Sequence, residues 1–167
     1  MLWNMGSFKE RFKQTAFLRA FTFWNIPLIW WVRPSVVEAG QNKTVVEIKL
    51  GRRTRNHLKS MYFGAIVIGS ELVVALRAVQ AIMTSKQKVD FVFKDFSIQC
   101  LKRAEGDVHF ICEQGEDVEA LVHKTIASGE RETKTYEGYA IVPAQSMTEK
   151  VATFTVTLSV KKKKKRT

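Results

Sequence analysis

Cysteine and histidine are scarce in this chain, at two and three of 167 residues. Cys100 and Cys112 cannot make a disulfide framework, and a reducing, cytoplasmic setting is expected. Both lie in strand-like segments and read as small buried hydrophobes. His57, His109 and His123 are scattered, and none has a second ligand at metal-binding spacing, so no metal site is expected. The first residues lack the charged, then apolar, then small-residue order of a secretory signal. Internal repeats, interior low-complexity segments and a recognisable nucleic-acid reading motif are absent. A spanning helix needs roughly 20 predominantly apolar residues. The purest apolar run here, Tyr62 to Leu76, is interrupted by Glu71, and Arg77 and Gln80 follow it.

Positive charge is plentiful. There are 27 Lys and Arg against 16 Asp and Glu, a formal net charge of +11. The run Lys161 to Arg166 is wholly cationic, so much of the basicity belongs to the tail. Such a run reads as a solvated, disordered end. Attraction to anionic membrane or nucleic acid without sequence specificity is its alternative use. The length fits one domain with a buried core. The expected division is an aromatic and amphipathic segment over residues 1–33, a folded domain over 34–160, and a basic tail over 161–167.

The stretch from Asn56 to Met83 organises the chain. It passes Asn56, His57 and the Tyr62-Phe63-Gly64 turn, then becomes apolar on nearly every face around one carboxylate, Glu71. That pattern describes a buried helix. An ionised carboxylate there is costly unless paired, hydrogen-bonded or facing a cavity. Glu71 is therefore ion-paired (Arg77 is one partner to consider), partly solvated, or lining a site.

Before this stretch, Ser7 to Trp24 reads as an amphipathic helix. Phe8, Phe12, Phe17, Phe21 and Trp24 alternate with Lys9, Arg11, Lys13 and Arg19. Ser7 with Glu10 makes a capping-box pattern. Such a helix packs on its own domain or on a partner subunit, or lies on a membrane surface; packing is the expectation, with peripheral membrane contact the alternative. Lys43 to Leu50 alternates as a strand, and the basic turn Gly51-Arg52-Arg53-Thr54-Arg55 follows. After the helix, Val89, Phe91 and Phe93 alternate, then Phe96, Ile98 and Cys100 continue in the opposite phase, which implies a bulge near Lys94 and Asp95. Glu105-Gly106-Asp107 reads as a hairpin turn into a returning strand, Val108 to Cys112. Glu116 to Ser128 has helical spacing, with Gly129 placed as a C-cap. Glu132 to Val142 and Glu149 to Val160 read as two long strands. The order argues for an α+β fold with an antiparallel sheet wrapped around one long central helix, plus an N-terminal helix and a small inserted helix.

That order, with the residues flanking the central helix, resembles the hotdog fold of acyl-CoA thioesterases, closest to the phenylacetic-acid-pathway type and to a branch whose members mostly lack an assigned reaction. The resemblance covers about Pro34 to Val160, including Ser97 to Val108. Asn56 stands at the family's Asn, and Tyr62, Phe63 and Gly64 stand at its His-Gly-Gly turn. Glu71 stands at its catalytic Asp or Glu. Tyr62 and Phe63 depart from the pattern, but a backbone amide is available from any residue type. The resemblance implies an acyl-CoA thioesterase with its pocket between subunits of a homodimer or dimer of dimers. Coenzyme A would enter as part of the substrate, with no separate cofactor, and its phosphates are expected near Arg52, Arg53, Arg55 and Lys59. A non-catalytic acyl- or lipid-binding protein of the same fold is the alternative. No specific nucleic-acid partner is expected.

Overall fold

The computed structural model describes residues 8–163. The expected cap at Ser7 and the end of the expected tail, 164–167, lie outside the described residues. The elements are α1 (Phe8–Asn25), α2 (Pro27–Val32), β1 (Ser35–Ala39), β2 (Thr44–Ile48), α3 (Phe63–Ser85), β3 (Val89–Cys100), β4 (Val108–Cys112), α4 (Gly115–Ser128), β5 (Glu132–Ile141) and β6 (Lys150–Lys162). The strands make one antiparallel sheet in the order β1-β2-β4-β5-β6-β3. It packs along α3 with β2, β4, β5, β6 and β3. This is the expected α+β arrangement.

α3 is built from Ala, Val, Leu and Ile with little to interrupt the helical ladder. Consecutive positions such as Leu72, Val73 and Val74 are all buried, so it has no single apolar face. A helix of this kind is stable only when surrounded. Its length and composition would also suit a membrane span, but most of it is buried in the protein's own core. It starts after Tyr62, held extended at φ −65° and ψ 138°, and ends at Lys86 in the left-handed region at φ 55°. Gly69 permits a close approach to the sheet, because a Cβ there would overlap the ring of Phe110, itself fully buried on β4.

The register of β3 shifts between Phe93 and Asp95, so Lys94 is the bulge that the phase reversal implies. One expectation fails. β4 does not return along β3; it pairs with β2 and β5, while β3 pairs with β6 at the far end of the sheet. The Glu105-Gly106-Asp107 segment is part of a crossing loop, not a hairpin turn. That loop is tied down where Met61 N–H donates to Ala104 O at 2.8 Å and Leu50 N–H to Asp107 Oδ1 at 2.8 Å. Cys100 is also misassigned as buried: it is exposed, because β3 is an edge strand, whereas Cys112 on β4 is buried.

Two boundaries shift. β1 has no counterpart in the sequence reading, since Glu38 breaks its short apolar run; it pairs with β2 through a bulge near Val37. β6 continues two residues into the lysine run, with Lys161 opposite Asp90 and Lys162 opposite Val89. Lys163 adds an ion pair to Asp90 at 3.0 Å.

Gly69→Ala should lower unfolding free energy by about 1–3 kcal/mol, because overpacking a filled core forces side chains off their rotamers. Urea denaturation reads this directly; an unchanged midpoint would mean that Phe110 has room to move.

A candidate active site along the central helix

The basic turn and the loop after it set the start of α3. Thr54 Oγ1 donates to Lys49 O at 2.6 Å and accepts from Gly51 N–H at 2.9 Å, which folds the turn back on β2. Tyr62 N–H then donates to Thr54 O at 2.7 Å. Asn56 closes the loop between these anchors. Its Oδ1 accepts from Leu58 N–H at 2.9 Å and from Ser60 N–H at 3.2 Å, and its Nδ2 donates to Ser60 Oγ at 3.1 Å. Lys59 occupies the left-handed region at φ 64° within this loop. Asn56 is thus a turn organiser whose side-chain groups are engaged locally.

At the helix start, Ala65 and Ile66 N–H both donate to Tyr62 O, at 2.9 and 3.1 Å. The N–H groups of Phe63 and Gly64 have no acceptor among the described residues. They form a positive helix end able to polarise a carbonyl. Tyr62 and Phe63 flank it with their rings 57% and 53% exposed.

Glu71 lies two turns further along. Gly64, Val67, Glu71, Ala75, Val79, Ile82 and Ser85 are the half-buried positions of α3, and they recur every three or four residues. They make one stripe along the helix, apolar apart from Glu71 and the terminal Ser85. Glu71 has no hydrogen bond or ion pair among the described residues. Burial alone pushes its carboxyl above the usual range. Arg77, six residues on, is not on the same side of the helix. Its Nη2 reaches Glu119 on α4, its Nη1 donates to Gln80 Oε1 at 3.2 Å, and its Nε donates to Gly115 O at 3.3 Å. The ion-pair reading of Glu71 with Arg77 is therefore excluded.

Four of the nine expected site residues line two separate hollows. Asn56 and Phe63 line a cavity of about 390 Å³ with Ser60, Met61, Ile66 and Arg103. Lys102 and Cys100 also border it, and Lys102 is ion-paired with Glu149. Arg52 and Arg53 line a separate cavity of about 510 Å³ with Arg19, Arg33 and Lys49. Tyr62, Gly64, Arg55, Lys59 and Glu71 line neither. Arg55 bridges to Met61 through the backbone. Arg103 borders the helix-start cavity with no ion pair among the described residues, and sequence reasoning missed it. Its only signal was its place in the loop 101–107, whose path across α3 depends on the sheet order. Among the described residues, no group of His, Cys, Asp and Glu is placed to hold a metal ion.

A family model described as "Domain of unknown function (DUF4442)" matches residues 13–160. No curated protein matches the chain. Solved structures do. A thioesterase candidate from Shewanella oneidensis superposes with a TM-score of 0.73 at 14% identity, over 88% of this chain and 96% of its own. A Chlorobaculum tepidum protein of unknown function gives 0.77 at 11% identity, over 92% and 97%. A thioesterase from Haemophilus influenzae gives 0.64 at 12% identity, over 97% and 96%. At these identities the likeness is one of fold.

The raised carboxyl has a stability signature. A folded-state value above the unfolded one favours the protonated form, so this contribution is fully present below the unfolded value and is lost as pH rises through the folded one. Glu71→Gln removes the cost of burying charge. The variant should be more stable than the parent at neutral pH, with the gain vanishing as pH falls below the ordinary carboxylate range. Urea midpoints across pH measure it, and a less stable variant at neutral pH would reveal an ion-pair partner.

Proposed function

The chain belongs to the DUF4442 family and has the hotdog fold, and from that premise we propose that it is a thioester hydrolase acting on an acyl-CoA. The observation that supports this most is a half-buried carboxylate, Glu71, without a partner among the described residues, on a helix whose Phe63 and Gly64 amides likewise have no acceptor there. Thioester hydrolysis needs a group that stabilises charge on the carbonyl oxygen and a base or nucleophile. The amides of Phe63 and Gly64 are suited to the first. Glu71, its carboxyl raised by burial, is suited to the second, either taking a proton from water or attacking the carbonyl carbon itself.

Geometry makes the reading depend on a second copy. Eight residues along one α-helix separate Phe63 from Glu71 by about 12 Å, whereas each group must reach within about 3 Å of its target. One helix cannot apply both ends to the same thioester. Two antiparallel copies of α3, meeting stripe to stripe about a two-fold axis, would set Glu71 of one beside the Phe63 and Gly64 amides of the other. The same contact would bury Val67 of both copies, and β3, at the end of the sheet, has no strand on its outer side among the described residues. Coenzyme A phosphates fit best at Arg103 with the neighbouring Arg55 and Lys59, since Arg52 and Arg53 open into the other hollow. A second reading, an acyl-binding protein without turnover, rests on Phe63, a bulky exposed side chain lining the cavity at the helix start where the resemblance has glycine.

Acyl-CoA esters of graded chain length, assayed for thiol release, should give turnover that Glu71→Gln lowers by about a hundred- to ten-thousand-fold, the usual share of a general base. Ligand binding without turnover would select the second reading. Light scattering should find at least a dimer at micromolar concentration; a stable monomer would remove the two-copy site.

A further inference from the structure

α1 is turned the unusual way round. The side it packs against the body carries Gln14, Thr22 and Leu18, all buried, and half-buried Thr15 and Arg19. Only Leu18 of these is apolar. Polar groups hold it there: Val36 N–H donates to Thr15 Oγ1 at 2.9 Å, and Arg19 donates to Pro34 O at 3.0 Å and Ser35 Oγ at 2.9 Å. The outward side bears Phe12, Phe23 and Trp24, the last 81% exposed, and α2 adds Leu28 and Trp31. A chain that burial of apolar surface folds has here left its largest apolar side chains in water. Contiguous exposed aromatics of this kind mark an interaction surface.

The hollow next to this surface says what covers it. Arg19, Arg33, Lys49, Arg52 and Arg53 line it, and no carboxylate does. None of the five has an ion pair among the described residues. Burial and the neighbouring Arg33 charge hold the Arg19 guanidinium below its ordinary range, with Glu47, already paired to His109 at 3.3 Å, opposing them from a distance. The Arg53 guanidinium lies 4.8 Å over the Trp31 ring, so hollow and aromatic surface are continuous. At the other end of α1, Lys9, Arg11 and Lys13 are exposed.

We propose that the face formed by α1, α2 and the Gly51–Thr54 turn docks on an anionic lipid surface, its aromatic side chains entering the headgroup boundary and its cationic hollow receiving a lipid phosphate. Tryptophan and phenylalanine suit that boundary, and nearby Lys and Arg strengthen attachment to anionic lipid. A second copy of this chain fits worse, because a two-fold contact would bring like-charged hollows together. A soluble phosphate would occupy the hollow and leave the aromatics in water. The face lies at the β1 end of the sheet, opposite the β3 edge, so it remains free when two copies meet along α3.

The full chain should co-sediment with vesicles of phosphatidylcholine mixed with phosphatidylglycerol, weakly or not at all with phosphatidylcholine alone, and added salt should release it. Trp24→Ala with Phe12→Ala should weaken partitioning at least about tenfold, since each removes buried apolar area. Arg33→Ala with Arg52→Ala should flatten the salt dependence and reduce the preference for phosphatidylglycerol. All four positions are exposed, and circular dichroism checks that the variants fold. The proposal is overturned by failure of the parent chain to bind either vesicle. It is also overturned if the aromatic variant binds unchanged, or if that variant instead changes the oligomeric state, which would make the face a contact between copies. Loss of binding on removal of residues 164–167 alone would give the effect to the tail and overturn it equally.

Discussion

Surrounding α3 is the requirement on which the rest of this structure depends. A helix with apolar residues at consecutive positions cannot lie on a surface, and the chain solves this by laying five strands of the sheet along it. At Gly69 the helix packs directly against the Phe110 ring of β4. α4 completes the cover through the Arg77 to Glu119 pair, which also explains how a guanidinium comes to be buried in the core without remaining unpaired.

The cover is incomplete along one stripe, and the only ionisable group of that stripe is Glu71. A structural carboxylate in such a place would be expected to have acquired a cation or a donor, because leaving it unpaired has a cost at neutral pH. α3 does contain a cation, Arg77, but it faces α4. The one buried positive charge among the described residues is thus placed elsewhere, and the carboxylate is left half-buried without a cation. That allocation is the physical ground for the role proposed for Glu71.

How legible this was in the sequence differs from residue to residue. The central helix, the Lys94 bulge, the small helix ended by Gly129 and the strict alternation of β6 were readable, since each is set by local periodicity or by one backbone conformation. The β3 to β4 connection was not. Glu105-Gly106-Asp107 looks like a hairpin turn because turn chemistry is local, while the choice between β3 and β2 as the partner of Val108 to Cys112 is made by the shared α3 core. Cys100 was misread for the same reason: alternation assigns a face but cannot tell an edge strand from a central one. Asn56 and Glu71 were visible as polar residues in special places. Arg103 was not, because its nearness to Phe63 exists only once the loop 101–107 has crossed the helix start.

The two ends of the sheet are treated differently, and this separates the roles of the two faces. At one end β1 is short and bulged, and α1 covers it with hydroxyl and guanidinium groups that satisfy its backbone and nearby carbonyls. At the other end β3 is twelve residues long, and its outer edge has no strand beside it among the described residues. Unprotected edges of that length are avoided in isolated proteins because they invite pairing. An edge kept open beside an uncovered apolar stripe is consistent with a second copy meeting the chain there. The closed end has no need of a partner strand, so the polar underside of α1 is explained by the sheet edge it seals. Its aromatic outer side has no such explanation within one chain. The same helix therefore answers to two environments, a hydrogen-bonding one beneath and an apolar one above, and only the first of these is supplied by the fold itself.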